Sequence, residues 1–181
     1  MQSFSEAMRE YKRQIEKGAI KEAYTGLMDY FGRLRLYFEN NHPEYPVSSN
    51  IYYGFMDMTY FALFPEPLKN KKMKIAIVFL HDKFRFEVWL AGINKAVQNK
   101  YWQLFKDSNW KKYNVPPTTK GVDSIIEHIL VDNPDFGDLD FITRQIEKGV
   151  LEFTKDIERF IFEHKTEDLQ PQKIQGNQTS S

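Results

Sequence analysis

Three charged side chains stand in segments that are otherwise aromatic and β-branched. Asp57 is the only charged residue in the stretch 54–64. Arg85 and Glu87 alternate with apolar residues just before Trp89. Burying a carboxylate is costly unless it is paired or holds a ligand. Each acid is therefore expected to face water, pair with another group or bind a ligand, and these residues are the first candidates for chemistry.

Arg85 and Glu87, together with the neighbouring Trp89, are compatible with either a ligand groove or a salt-linked surface. Side chains alternate between the two faces of a strand, so Arg85, Glu87 and Trp89 share one face. A salt-linked outer face would only stabilise the sheet, whereas a groove would contact a small-molecule ligand or a protein partner. Tyr60 belongs to a set of aromatic residues that could add a stacking surface, although such residues more often form core. These interpretations stay open.

A metal-dependent phosphodiesterase or nuclease is the alternative hypothesis. In such a site two carboxylates, here Asp57 and Glu87, hold Mg²⁺, and a lysine two residues after the glutamate positions or activates water. Trp89 occupies the position of that lysine, which weakens the match. His81 and His128 lack the spacing of metal ligands, so no metal site is assigned. Whether the protein is an enzyme also stays open.

Composition excludes several kinds of chemistry. The 181 residues contain 25 basic and 25 acidic side chains and no cysteine, and the pI is near 6.9. A neutral chain is not attracted as a whole to phosphate backbones, so a nucleic-acid partner is not expected. The absence of cysteine excludes disulfides, thiolate metal sites and thiol nucleophiles. No hydrolase elbow, Walker loop or dinucleotide-binding motif is present, so no cofactor is assigned.

Positive charge is concentrated in one short segment. Lys69, Lys71, Lys72 and Lys74 follow a turn-like stretch with two prolines. We expect this cluster to be solvated and to keep the next apolar strand soluble.

No membrane contact is predicted. The most apolar unbroken run, residues 75–80, is far shorter than the roughly 18 residues that a membrane-spanning helix needs. Residues 1–6 have neither the basic nor the apolar region of a signal peptide. A cytoplasmic location is the resulting expectation.

Helical periodicity dominates the N-terminal part of the chain. Ser3 and Glu6 predict a capping box before an amphipathic helix over residues 4–17, which ends at Gly18. A second helix is predicted to follow, up to the break at His42–Pro43. Its apolar stripe is predicted to pack against the core and contains Ile20, Ala23, Tyr24, Leu27, Phe31, Leu34 and Phe38.

Strands are predicted in the middle of the chain. The segments 51–53 and 54–64 are rich in aromatic and β-branched residues, and the segments 74–80 and 84–90 form the clearest hairpin. With a two-residue turn at Asp82–Lys83, the hairpin has one apolar face, which must be buried. That face contains Ile75, Ile77, Phe79, Phe84, Phe86, Val88 and Leu90.

Helix, strand and helix are predicted in the C-terminal part. Asn94 lies at the start of a helix that extends through Lys106. The β-branched segment 124–131 is interpreted as a strand, although its length does not separate it firmly from a helix. Asp138 is the predicted N-cap of a long last helix that extends to about His164, and the polar tail 165–181 is predicted to be disordered.

Three strings of this sequence resemble a family of uncharacterised bacterial proteins. They are Gly54–Phe61, Lys74–His81 and Arg85–Gly92. The resemblance covers nearly the whole chain except the tail, and the family is a domain of unknown function. It implies a bacterial cytoplasmic setting and no particular activity. It adds His81 and Asn94 to the residues of interest without giving them roles.

The predicted fold is α+β, with two N-terminal helices, a mainly antiparallel sheet of four to five strands and a long C-terminal helix. One domain is expected over residues 1–164. Its predicted function is the binding of a small ligand or protein partner at a polar face of the sheet. The candidate ligand-binding residues are Asp57, Tyr60, Arg85, Glu87, Trp89 and Asn94.

Overall fold

Five helices and four strands form from residues 3–164, the part of the chain that the computed structural model describes. This architecture confirms the predicted α+β class. In chain order the elements are α1 (Phe4–Glu16), α2 (Ala19–Asn41), β1 (Met58–Leu63), α3 (Glu66–Lys69), β2 (Met73–Leu80), β3 (Arg85–Gly92), α4 (Lys95–Asp107), β4 (Ser124–Asp132) and α5 (Leu139–Glu163).

The strands form one antiparallel sheet in the order β1-β2-β3-β4. In the central hairpin Leu80 is opposite Arg85 and Phe79 is opposite Phe86, which is the register predicted from a turn at Asp82–Lys83. The predicted strand at 124–131 is confirmed as β4. Each strand therefore follows its neighbour in sequence, and the sheet requires no crossover connection.

The sheet has an inner face that is buried against helices. Residues of α2, α4 and α5 share one core cluster with this face. The largest inner-face side chains of the first three strands are Phe61, Leu63, Ile75, Ile77, Phe79, Phe86, Val88 and Leu90, all at most 1% exposed. Alternation along each strand accounts for this set, because consecutive side chains point to opposite faces.

Side-chain caps fix the starts of three helices, as the sequence predicted. Ser3 and Glu6 form the capping box of α1. Asn94 Oδ1 accepts a 3.0 Å hydrogen bond from the backbone N–H of Val97 at the start of α4, and Asp138 caps α5 in the same manner. These bonds satisfy N–H groups that have no partner within the helix.

Burial of the N-terminal helices is less extensive than the sequence predicted. No residue of α1 is buried. In α2 the buried residues lie only in the second half, from Tyr30 to Phe38, whereas Ile20 and Tyr24 are exposed. In the first half of α2 the ring of Tyr24 stacks on that of His81 at the tip of the central hairpin, and Leu27 packs against the core while it is only partly buried. The apolar stripe is therefore a core contact along part of its length.

Two details of the predicted strands are wrong. Phe84 is 48% exposed, because its positive φ of 49° ends the regular strand geometry beside the turn. The segment 51–53 is not a strand in the structure and contributes an isolated bridge between Tyr52 and Tyr60. Asp57 lies in the turn that precedes β1. The predicted disordered tail, residues 165–181, lies outside the described residues.

None of the helices in residues 3–164 combines the length and the apolar character needed to cross a membrane.

Candidate functional site

The outer face of the sheet, opposite the helix-covered core, carries the charged and aromatic residues that the sequence singled out. Its buried cluster is small and consists of strand residues: Ala76, Val78, Leu80 and Trp89, with Met58 and Tyr60 packed beside them. Trp89, at 9% exposure, is the largest of the buried four. Trp89 is thus central to any site on this face.

A buried carboxylate holds Trp89 in place. Glu87 is only 2% exposed. Its Oε2 accepts a 2.6 Å hydrogen bond from Nε1 of Trp89, and its Oε1 accepts bonds from Nε and Nη2 of Arg85 at 2.7 and 2.5 Å. Alternation along β3 puts all three side chains on one face, as the sequence predicted. Both carboxylate oxygens are occupied, so Glu87 acts here as a positioning residue for the indole ring.

Trp89 forms a wall of two cavities. The first, here called the Tyr60 cavity, has a volume of about 360 Å³. Its walls include Tyr52, Tyr60, Lys74, Trp89, Asn94 and Asp123. The second, here called the Asp57 cavity, has a volume of about 460 Å³. Its walls include Asp57, Leu80, Glu87, Trp89, Asp123 and Glu127.

The six predicted site residues are therefore divided between neighbouring cavities. Tyr60 and Asn94 line the Tyr60 cavity, Asp57 and Glu87 line the Asp57 cavity, and Trp89 lines both. Arg85 lines a third concavity, which lies beside Glu87 and the segment 110–115. These side chains belong to one face of the sheet and the loops at its edges.

Asp57 is held by its own turn. Its Oδ1 accepts hydrogen bonds from the backbone N–H groups of Met58 at 2.7 Å and Phe55 at 2.9 Å. These bonds lower the pKa of the Asp57 carboxyl below its ordinary value, because they favour the charged form. Gly54, at φ 57°, allows the chain to approach this carboxylate closely. Asp57 is an exposed, ionised group with a fixed position.

Lys74 is a site residue that the sequence reasoning missed. It was predicted to belong to a solvated lysine cluster, but its side chain is half-buried in the wall of the Tyr60 cavity. Nζ lies 5.2 Å from the centroid of the Tyr60 ring. Burial lowers the pKa of the Lys74 ammonium. The available signal was alternation, since the register pairs Lys74 with Ala91 on the face that carries Trp89.

The edge of the Tyr60 cavity is built where β3 meets α4. A Cβ at Gly92 would lie 2.7 Å from the backbone nitrogen of Gln98. β3 and α4 are therefore so close here that only glycine fits at position 92. The buried Gln98 side chain donates to the carbonyls of Val122 and Ser124 at 2.7 and 3.0 Å. Lys95 adds a salt bridge to Asp123. The segment before β4 is thereby fastened to the start of α4.

No group of three or more histidine, aspartate or glutamate side chains within residues 3–164 is arranged to hold a metal ion. Asp57 and Glu87 nevertheless line the same cavity.

Comparison with known families places this chain in a defined group. The profile of DUF7000, described as a domain of unknown function, matches residues 4–161. The chain belongs to the DUF7000 family. No curated protein and no solved structure matches it. The predicted resemblance to a domain of unknown function is thus confirmed, and the DUF7000 match spans every described strand and helix except the last two residues of α5.

Proposed function

We propose that this DUF7000 domain binds a small ligand on the outer face of its sheet, at the cavities that adjoin Trp89. One observation carries the proposal: a buried carboxylate, paired with a partly exposed arginine, fixes the orientation of an indole ring that forms a wall of two concavities. Apolar residues of similar volume would often stabilise a fold as well as a buried ion pair does. The Arg85–Glu87 pair is better explained by the placement of Trp89, since aromatic walls with a few convergent polar groups are typical of ligand sites.

The six predicted residues take distinct places in this proposal. Trp89 and Tyr60 supply apolar walls, while Glu87 and Arg85 set the position of Trp89. Asn94 shapes the rim at the start of α4, and Asp57 contributes a charged rim to the neighbouring cavity. The setting that we propose is a bacterial cytoplasm, on the basis of the motif resemblance. The core shared by α2, α4, α5 and all four strands supports one domain over residues 1–164.

A thermal-shift screen of the full chain tests the proposal. The screen should contain carboxylates, sugars, nucleotides and divalent metals. A ligand at about 100 times its dissociation constant adds about 2.7 kcal/mol to stability, which raises the melting temperature by roughly 5 °C or more for a chain of this size. We expect such a shift for at least one small-molecule class.

A matched pair of tryptophan variants assigns the shift to the outer face. Trp102 also donates an indole hydrogen bond, to the carbonyl of Pro116 at 2.8 Å, but it lies outside both cavities. Trp89→Phe should abolish the ligand-induced shift, and Trp102→Phe should retain it. A flat screen would contradict a small-molecule site and favour a protein partner. A shift that survives in Trp89→Phe would place binding elsewhere.

The metal-dependent phosphodiesterase is the second candidate, because Asp57 and Glu87 line the same cavity. The contacts support it less well, since both oxygens of Glu87 already accept hydrogen bonds. It predicts hydrolysis of a generic phosphodiester such as bis(p-nitrophenyl) phosphate in the presence of Mg²⁺ or Mn²⁺. That activity would be lost in Asp57→Asn. Absence of metal-dependent hydrolysis in the unmodified chain contradicts this candidate.

A further inference from the structure

We infer that the Tyr60 cavity selects a small planar molecule that carries a single negative charge, with an aromatic carboxylate as the simplest example. This inference rests on the proposed binding function and specifies the ligand class for one of the two cavities. Its basis is a concave site in which the Lys74 ammonium, which forms no salt bridge with a described residue, lies beside aromatic walls.

The charge of the ligand follows from Lys74. Within residues 3–164 its ammonium forms no salt bridge with a carboxylate, and its Nζ lies over the face of the Tyr60 ring. A half-buried ammonium has lost part of its hydration, so an anion that enters the cavity restores favourable interactions. Burial lowers the pKa of Lys74, although the charge of Asp123 in the same cavity wall opposes this effect.

The number of negative charges on the ligand follows from the other charged residues of the cavity wall. Lys95 and Asp123 line the same cavity, and they neutralise each other through a salt bridge of 3.3 Å between Nζ and Oδ1. The three charged side chains that line the cavity therefore carry a net charge of +1, and Lys74 is the one that forms no salt bridge. A second negative charge on the ligand would approach Asp123 and be repelled. The net charge of the cavity wall therefore favours a monoanion over a phosphate dianion.

The start of α4 reinforces this charge preference. Asn94, Lys95 and Gln98 of this helix start lie in the cavity wall, and the first turn contains no acidic residue. The N-terminal end of a helix carries partial positive charge, which favours an anion nearby. This field acts in the same direction as Lys74 and adds to it.

The planar shape of the ligand follows from the aromatic walls of the cavity. The rings of Tyr52 and Tyr60 lie with centroids 5.1 Å apart at an interplanar angle of 34°, and Trp89 forms a further wall. The bond to Glu87 prevents the indole from rotating freely. Rings of this kind stack favourably on other flat π-systems. At about 360 Å³ the cavity has room for a bicyclic ring system with one substituent.

Calorimetric titration of the full chain with naphthoate and naphthamide at neutral pH tests the inference. The two probes share a ring and differ in charge. We expect naphthoate to bind at least about tenfold more tightly than naphthamide, the size expected for one charge-assisted hydrogen bond. Lys74→Met should reduce naphthoate binding to the level of the amide, and Lys74→Arg should keep the preference for the acid.

Lys100→Met is the matched control. Lys100 also lies over a tyrosine ring, that of Tyr101, with Nζ 5.6 Å from the centroid, but it is exposed and outside the cavity. Naphthoate binding should be unchanged in this variant. Far-ultraviolet circular dichroism and the melting temperature establish that each variant is folded before titration.

The outcomes separate this inference from the proposed function. If both probes bind equally well and Trp89→Phe abolishes their binding, the outer face binds ligands but charge selection by Lys74 is overturned. If neither probe binds, the inference is overturned, and the proposed function is decided by the broader screen. If Lys74→Met keeps the full preference for naphthoate, the anion is recognised elsewhere and the assignment to Lys74 is overturned.

Discussion

Nε1 of Trp89 donates a 2.6 Å hydrogen bond to Oε2 of Glu87, two residues earlier on the same strand. The carboxylate is almost fully buried, and its other oxygen receives both donors from Arg85, whose side chain remains partly exposed. The partly exposed guanidinium of Arg85 thus compensates the charge of the buried carboxylate, which in turn orients an aromatic ring. This chain of contacts links the stability of the outer face to the geometry of both cavities.

Glu87→Gln is expected to lower the free energy of unfolding by about 1–3 kcal/mol. The neutral amide loses the charge-assisted bonds from Arg85, and its NH₂ group brings a donor towards another donor. Urea unfolding followed by circular dichroism measures the change. Glu10→Gln on α1 is the control, because the Glu10–Arg13 pair is solvent-exposed and such pairs contribute little to stability. Equal losses in the two variants would contradict the structural role of Glu87.

The register of the central hairpin was predictable because Arg85 and Glu87 alternate with apolar residues in β3. Any shift by one residue would have placed Arg85 and Glu87 in the core beside Ile77 and Phe79. The same alternation placed Trp89 on the face of Glu87. Caps at Asn94 and Asp138 were readable for a similar reason, since a short polar side chain before an apolar periodic segment has a local function.

Features that depend on distant segments were not predictable in this way. Periodicity shows which face of α2 is apolar, but it does not show that the sheet lies beneath only the half that contains Phe31 and Phe38. Lys74 follows the alternation of β2, yet its neighbours Lys71 and Lys72 suggested a solvated cluster. Its half-buried position arises because Tyr60 comes from another strand. Local sequence does not show which residue of another strand will pack beside a given side chain.

The stability of the protein is expected to fall as the pH decreases through the ordinary range of histidine. Nε2 of His81 shares a 3.0 Å hydrogen bond with Oγ1 of buried Thr59. Burial lowers the pKa of His81, although the charges of Asp57 and Asp82 oppose this effect. The folded state therefore binds fewer protons than the unfolded state, whose histidine pKa is about 6.5. Stability is complete above that value and declines towards the lower pKa of the folded state.

Urea titrations at a series of pH values between about 8 and about 5 measure this decline. His81→Gln should make the decline shallower, since the variant lacks one titrating group. Some decline should remain, because burial also lowers the pKa of His128. A pH profile of His81→Gln that is parallel to that of the unmodified chain would contradict the role of His81. Stability that rises on acidification would contradict the sign.

Gly54→Ala is expected to destabilise the turn that holds Asp57. The residue has φ 57°, and an added Cβ would clash with the backbone oxygen of Met58 and with the carboxylate of Asp57. Conformational strain of this kind costs on the order of 1–3 kcal/mol, and the turn cannot relax without breaking the Asp57 hydrogen bonds. Thermal unfolding measures the loss.

Gly32→Ala provides the opposite expectation in the same assay. Gly32 lies inside α2, and nothing would contact its added Cβ within 4 Å. Alanine is preferred over glycine in a helix by about 1 kcal/mol, so this variant should be stabilised. The prediction for Gly54 is contradicted if both variants change stability in the same direction.

The apolar stripe of α1 is expected to contribute little to the stability of the isolated chain. Phe4 is 82% exposed, Met8 is also exposed, and no residue of α1 is buried. Phe4→Ala and Met8→Ala should each change the free energy of unfolding by at most about 0.5 kcal/mol, as exposed substitutions do. Phe31→Ala removes a fully buried ring from the core and should cost about 3–5 kcal/mol. Urea unfolding at low protein concentration compares the three variants. Losses of about 2 kcal/mol at Phe4 or Met8 would be of the size seen for buried apolar side chains, and would therefore show that this face of α1 is covered in solution.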